Sequence, residues 1–100
     1  MSDILRVQVM VSGRVQGVGY RAWCAEAAQQ RGLAGFVRNR RDGAVEALFD
    51  GPREAVEAMV AACWSGPISA RVDDVRVQPA SAVTGTDTPP GERFMVLATL

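Results

Sequence analysis

The sequence predicts an α+β fold in which an antiparallel sheet carries two helices on one face. Three observations predict it. Short segments with alternating apolar and polar residues, or with β-branched and aromatic residues, recur along the chain and are typical of strands. Two longer segments have the composition or the apolar spacing of helices. A length of 100 residues suits a single domain, from residue 1 to residue 100, that folds without covalent staples.

The first half of the chain predicts a strand, a glycine loop and a helix. Apolar residues at odd positions predict a strand over residues 5 to 12. The segment GRVQGVGYR follows and contains three glycines, which is typical of a loop. The next segment, RAWCAEAAQQR, is rich in residues compatible with a helix, and Gly32 is placed to end that helix.

A hairpin is predicted in the middle of the chain. Residues 35 to 39 form a short second strand with Phe36 and Val37 at its centre. The Asp42-Gly43 pair is typical of a tight turn between antiparallel strands. Alternation resumes at Val45 and predicts a third strand.

The second helix has clear end signals. Gly51 is expected at the N-cap, Pro52 at the first helical position and Glu54 at the third. Apolar residues follow at helical spacing, and the segment 65–67, Ser-Gly-Pro, ends the helix.

The last third of the chain predicts two strands around a loop. A strand is expected over residues 71 to 78, a mobile loop over 79 to 92, and a final strand over 94 to 98. The resulting order, β-α-β-β-α-β with a terminal strand, is that of the ferredoxin-like split β-α-β arrangement.

The charged residues exclude several chemistries. All 11 cationic residues are Arg, so the chain has neither Lys nor His. A Ser-His-Asp triad, an imidazole base, a His-ligated metal, a Schiff-base lysine and a Walker-type phosphate loop are therefore excluded. The 11 acidic residues bring the formal charge to zero, which provides no electrostatic basis for binding nucleic acid or a membrane. We expect neither a metal nor a cofactor.

The compartment is predicted from what the sequence lacks. The first residues show no signal-peptide pattern, and no apolar run approaches the roughly 20 residues of a membrane span. Cys24 and Cys63 lie far apart and fit neither a disulfide framework nor a zinc site. A cytoplasmic monomer is the expectation.

The loop from Gly13 to Tyr20 is the first candidate site. It joins a strand end to a helix start, where unpaired backbone N–H groups and a partial positive charge favour an anion. Glycines allow successive amides to turn into one concavity. Arg21 follows in the first helical turn and can bind two phosphate oxygens with its planar guanidinium.

Asn39 is the second candidate. In a β-α-β unit, the ends of the first and second strands lie at the same sheet edge as the start of the intervening helix. This topology brings Asn39 to the side of the glycine loop. From the residues alone, an ordinary turn residue remains the simpler interpretation. The neighbouring Arg38, Arg40 and Arg41 are interpreted as a solvated hairpin face, or alternatively as a cluster that attracts anionic substrates.

Two blocks of the sequence resemble a known family. GRVQGVGYR resembles the phosphate loop of acylphosphatases, and the segment from Gly35 to Gly51, GFVRNRRDGAVEALFDG, resembles their second signature. The blocks cover about a quarter of the chain, and the length and element order also fit the family. The resemblance implies hydrolysis of acyl phosphates to a carboxylate and inorganic phosphate. It implies that Arg21 binds the phosphoryl group, that Asn39 positions the attacking water, and that the loop contributes the backbone amides of Arg14, Val15, Gln16, Gly17, Val18, Gly19 and Tyr20.

The available residues are sufficient for this reaction. The leaving carboxylate has a pKa of about 4, by analogy with Asp and Glu, so it departs without a general acid. Phosphoryl transfer depends mainly on positioning and charge stabilisation, which amides, Arg21 and Asn39 can supply. An alkyl phosphate would be a poor substrate, because its leaving alkoxide needs a proton or a metal. No acyl-group pocket is evident, so broad acyl specificity is expected.

Two other functions remain open. RNA-recognition modules share the β-α-β-β-α-β order, although they stack bases on aromatic residues of their central strands, where this sequence has only Phe49. A regulatory module could bind an acyl or carbamoyl phosphate without hydrolysing it, as in acylphosphatase-like domains of larger carbamoyl-transferring proteins. Phosphate release by the isolated chain separates the second alternative from an enzyme.

Overall fold

The computed structural model describes residues 3–80 and 94–100. Along the chain lie β1 (Ile4–Arg14), α1 (Tyr20–Gln30), β2 (Ala34–Asn39), β3 (Val45–Pro52), α2 (Arg53–Cys63), β4 (Arg71–Pro79) and β5 (Phe94–Val96). The predicted loop of residues 79 to 92 falls outside the described residues from position 81 onward. Within the described ranges, no helix is long and apolar enough to span a bilayer.

The strands form one sheet in the order β4-β1-β3-β2-β5. The first four strands in this order pair antiparallel, and β5 joins the edge parallel to β2. The predicted fold class is confirmed, and β5 makes the antiparallel sheet a mixed one.

Both helices pack on the same face of the sheet. Helix α1 lies mainly over β2 and β5, and α2 lies over β1 and β3. Because side chains alternate along a strand, every second residue of the central strands meets the helices. The sheet contributes to this core Val7, Val9, Val11, Val37, Val45, Ala47, Phe49, Val75 and Phe94, and the helices contribute chiefly Tyr20, Cys24, Ala28, Val56, Met59 and Cys63.

Several predicted boundaries are wrong. Strand β1 continues through Gly13 and Arg14, which were expected in the glycine loop, because both pair with β4. Gly51 was expected to cap α2 and Pro52 to begin it, but both belong to β3, and Pro52 is the N-cap. The reason is that β3 keeps pairing with β1 through Leu5 and Ile4. The final strand was expected to reach residue 98 but ends at Val96.

The opposite face of the sheet carries a polar cluster. Glu46, only 5% exposed, accepts hydrogen bonds from Arg38 (2.9 Å), Arg40 (3.1 Å) and Gln8 (2.6 Å). Burial alone would raise the pKa of Glu46, but these hydrogen bonds and the two positive charges hold it below its ordinary value. Arg38 and Arg40 are therefore held by a carboxylate on the face away from the helices, which does not match a freely solvated hairpin face.

Candidate active site

The glycine loop occupies the gap between β1 and α1. Gly17 and Gly19 have φ angles of +75° and +85°, a region that other L-residues rarely adopt. Gly19 is the N-cap of α1, whose first turn has neither a side-chain cap nor an acidic residue. The first amides of α1 therefore remain available to an anion at the positive end of the helix.

A cavity of about 310 Å³ opens in front of this loop. The loop, the first turn of α1 and the ends of β2 and β5 enclose it. Its described lining residues are Val15, Gly17, Gly19, Tyr20, Arg21, Ala22, Asn39 and Val96.

Arg21 is the positively charged residue among the described residues that line the cavity. It lies in the first turn of α1 and is half-buried. Among the described residues, its guanidinium has no carboxylate partner and no hydrogen bond. An anionic ligand would therefore not have to displace an existing ion pair.

Asn39 reaches the same cavity from the sheet. It is the last residue of β2, and its alternation with Val37 directs it to the helix side. Pairing with Val45 and a hydrogen bond from Leu100 N–H to its backbone carbonyl (3.1 Å) hold its main chain. The side-chain oxygen Oδ1 is buried and has no hydrogen-bond partner among the described residues. An unpaired buried acceptor of this kind is costly and is expected where a ligand or water binds.

Tyr20 closes the inner wall of the cavity. Its hydroxyl donates a hydrogen bond to the backbone carbonyl of Cys63 (2.7 Å), at the end of α2, and its ring contacts Trp23. Burial raises the pKa of the Tyr20 phenol far above its ordinary value. Burial also raises the pKa of the Cys63 thiol, to about 11. Tyr20 is therefore a neutral anchor between α1 and α2.

The structure brings most of the predicted site residues together. Val15, Gly17, Gly19, Tyr20, Arg21 and Asn39 line one cavity. Arg14, the last residue of β1, and Val18, which packs against the core, are not among the lining residues. Within the described residues, no group of three or more His, Cys, Asp or Glu is arranged to hold a metal ion.

Sequence reasoning missed the side chain of Gln16. Only its backbone amide was expected to matter, yet its side-chain nitrogen Nε2 donates hydrogen bonds to the carbonyls of Arg40 (2.7 Å) and Ala44 (2.9 Å). The sequence shows only that an amide side chain lies between two glycines of the loop. This does not reveal which carbonyls the amide would bind.

Comparison with known proteins agrees with this architecture. The acylphosphatase family model matches residues 7–88. An acylphosphatase from Nitrobacter hamburgensis is 54% identical over 100 residues, the whole of both chains. The crystal structure of acylphosphatase from Bacillus subtilis has a TM-score of 0.82 at 38% identity and covers 93% of this chain and 98% of that chain. An acylphosphatase structure from Coxiella burnetii has a TM-score of 0.84 at 28% identity, with coverages of 95% and 94%. With a family model over most of its length and a full-length relative more than half identical, the chain belongs to the acylphosphatase family and is a hydrolase that acts on acyl phosphates.

Proposed function

We propose that the chain hydrolyses the carboxyl–phosphate bond with a phosphoryl group held in the glycine loop and a water held by Asn39. One observation carries this mechanism: the buried, unpartnered Oδ1 of Asn39 belongs to the cavity that Gly17, Gly19 and Arg21 also line. The attacking water requires a hydrogen-bond acceptor, which Asn39 supplies. The phosphoryl group requires anion-binding groups, which the loop and Arg21 supply.

The phosphoryl group binds through charge. The amides of residues 14–20 and the guanidinium of Arg21 contact its non-bridging oxygens and stabilise the negative charge that spreads over them in the transition state. Because the loop amides belong to the folded backbone, they are in place before the substrate arrives and need little reorganisation during the reaction.

The water attacks phosphorus in line with the leaving carboxylate. It donates one hydrogen bond to Oδ1 of Asn39 and directs a lone pair at phosphorus. The bond between phosphorus and this water oxygen forms as the bond to the acyl oxygen breaks. The carboxylate leaves with the bonding electron pair and, with a pKa of about 4, needs no proton at neutral pH.

The proton of the water passes to the phosphate itself. Tyr20 and Arg21 are the titratable groups among the described lining residues. Tyr20 is neutral, and its hydroxyl is directed at the Cys63 carbonyl, while the guanidinium of Arg21 has donors and no acceptor. Neither side chain is suited to act as a general base, so a phosphate oxygen is the acceptor that remains.

The decisive experiment measures phosphate release from benzoyl phosphate. We expect Arg21→Ala and Asn39→Ala each to lower kcat by about 10²-fold or more, since one removes charge stabilisation and the other the aligned water. Arg53→Ala is the matched control, because Arg53 pairs with Asp3 away from the cavity and should leave turnover unchanged. Near-wild-type turnover in either cavity variant would refute that residue's role. Binding of phosphate without release from the substrate would favour the regulatory module.

We also propose that residues 1–100 act as a single-domain monomer in the cytoplasm that does not bind nucleic acid. The zero formal charge and the free, buried cysteines Cys24 and Cys63 support this. Phe49, the aromatic residue of the central strands, is buried in the core and offers no exposed ring for a base. Light scattering at several concentrations, titration with labelled single-stranded RNA and cell fractionation test the three parts separately.

A further inference from the structure

The side chain of Gln16 connects the phosphate loop to the turn that follows Asn39. Its Nε2 lies 2.7 Å from the Arg40 carbonyl oxygen and 2.9 Å from the Ala44 carbonyl oxygen. The bonded residues are 24 and 28 positions away along the chain. An amide NH₂ supplies two donors, and here each donor has an acceptor.

The two acceptors are the carbonyls that close this turn. Arg40 N–H donates to the Ala44 carbonyl (2.8 Å), and Gly43 N–H donates to the Arg40 carbonyl (3.1 Å). Gln16 therefore binds both ends of the turn at once. Because Arg40 is joined to Asn39 by a peptide bond, the position of this turn also determines the position of the Asn39 main chain.

We infer that Gln16 is a positioning residue that fixes Asn39 relative to the phosphate loop. The inference rests on the proposed function, in which the loop holds phosphorus and Asn39 holds the water. These two groups come from separate parts of the chain, yet in-line attack requires their alignment. Gln16 supplies a side-chain link between the loop and the turn that follows Asn39.

A purely structural role would have a different signature. A clamp that only stabilises the fold would change the unfolding midpoint and leave kcat of the folded enzyme intact. A group that only orders the loop would weaken phosphate binding. A residue that aligns water with phosphorus instead lowers kcat and leaves binding of inorganic phosphate nearly unchanged, because the loop amides and Arg21 remain.

The test replaces the amide by an apolar side chain of similar length. For Gln16→Met we expect kcat for benzoyl phosphate to fall about 10- to 100-fold, as for a displacement of reacting groups by an ångström or less. The inhibition constant of inorganic phosphate should change by less than about threefold, because the anion-binding groups are retained. Gln30→Met is the matched control: Gln30 is the exposed last residue of α1 and does not line the cavity, so its substitution should change neither constant.

A double-mutant cycle shows whether Gln16 acts through Asn39. In the Asn39→Ala background, measured at high enzyme concentration, Gln16→Met should lower kcat by less than about twofold, because there is no longer a held water to misalign. If the fold-decreases in kcat of the two single variants multiply in full in the double variant, the inference is overturned. An unchanged kcat in Gln16→Met, or a rise in the phosphate inhibition constant with no change in kcat, would overturn it too.

The failure of the proposed function has a separate readout. If Asn39→Ala alone hydrolyses benzoyl phosphate at the wild-type rate, the mechanism itself is wrong, whatever Gln16 does. If Gln16→Met does not fold, Gln16→Asn tests the same point, since its amide is one methylene too short to reach both carbonyls. We expect an intermediate kcat for it, and a wild-type kcat would contradict the inference.

Discussion

Asn39 illustrates how much a single residue depends on its surroundings. From the sequence, an ordinary turn residue was its simpler interpretation. In the structure its Oδ1 is buried without a partner, in a cavity that Arg21 also lines. Leaving a buried acceptor unpaired costs about 1–3 kcal/mol, a cost that a structural turn residue has no reason to carry. The bound water of the proposed mechanism would satisfy this acceptor.

The glycines of the loop lead to a prediction at the same scale. Gly19 has a φ of +85°, and no atom lies within 4 Å of the position that a Cβ would occupy, so Gly19→Ala adds backbone strain without a clash. We expect a loss of stability of about 1–2 kcal/mol, together with weaker inhibition by inorganic phosphate as the loop amides shift.

Gly32→Ala is the control for this prediction. Gly32 follows α1 with a φ of +72°, has equally open space and does not line the cavity. Urea unfolding should show a similar loss of stability in both variants, whereas phosphate inhibition should weaken only in Gly19→Ala. Equal inhibition constants in the two variants would contradict a phosphate-binding role for the loop.

At the scale of elements, the β2–β3 hairpin bears on both faces of the sheet. Strand β2 ends in Asn39, whose side chain lies on the helix side. The carbonyls of the turn accept hydrogen bonds from Gln16. On the other side, Glu46 holds Arg38 and Arg40 beside it. The polar cluster therefore stabilises the hairpin that carries Asn39, although it lies outside the cavity.

Glu46→Gln tests the strength of this cluster. We expect the free energy of unfolding to fall by about 2 kcal/mol at pH 7, as is typical when hydrogen bonds to a charged group are lost. The pKa of Glu46 is lowered in the folded state, so its contribution is present above the unfolded-state pKa of about 4.3 and is lost as the pH falls through the folded value. The difference between wild type and variant should therefore shrink below about pH 4.

The matched control is Glu57→Gln. Glu57 forms an exposed ion pair with Arg53 at 3.8 Å on α2. Exposed pairs of this kind contribute little, so we expect a loss below about 0.5 kcal/mol with little pH dependence. Urea unfolding of both variants between pH 3 and pH 7 decides the matter, and equal losses would show that the Glu46 cluster is no stronger than a surface pair.

For the whole molecule, a formal charge of zero conceals an uneven distribution. Several arginines are matched with carboxylates inside the fold or at its surface: Arg6 with Asp50, Arg38 and Arg40 with Glu46, Arg53 with Asp3 and Glu57, and Arg76 with Asp74. Arg21, at the cavity, has no carboxylate partner in the described part of the chain. Arg14, Arg31, Arg41 and Arg71 likewise have no carboxylate partner among the described residues, but only Arg21 of this group lines the cavity, where its charge adds to the positive end of α1.

This local charge predicts that inorganic phosphate stabilises the native protein. A ligand that binds only the folded state raises the free energy of unfolding, by about 1.4 kcal/mol at roughly ten times its Kd. We expect phosphate to raise the thermal midpoint and to inhibit benzoyl phosphate hydrolysis competitively. Sodium chloride at matched ionic strength is the control, and Arg21→Ala should abolish the shift. An equal shift with chloride would point to general screening instead of a site.

The element order and the position of the glycine loop before α1 could be predicted from the sequence, because both depend on neighbours along the chain. Alternation of apolar and polar residues predicted the strands, and composition and the flanking glycines predicted α1. Arg21 was identified as a candidate anion-binding residue because it lies in the first turn of that helix. Boundaries were less certain: Gly51 and Pro52 carry helix-start signals, yet strand pairing with Leu5 and Ile4 outweighed them.

Contacts between distant parts of the chain were decided only by the tertiary structure. The burial of Asn39 Oδ1, the two hydrogen bonds of Gln16 and the bond from Tyr20 to the Cys63 carbonyl all depend on how the sheet closes and where the helices settle. Local periodicity indicates which face a residue occupies, but not which group lies opposite it. The sequence by itself determined the parts of this site, and sheet pairing and helix packing decided their alignment.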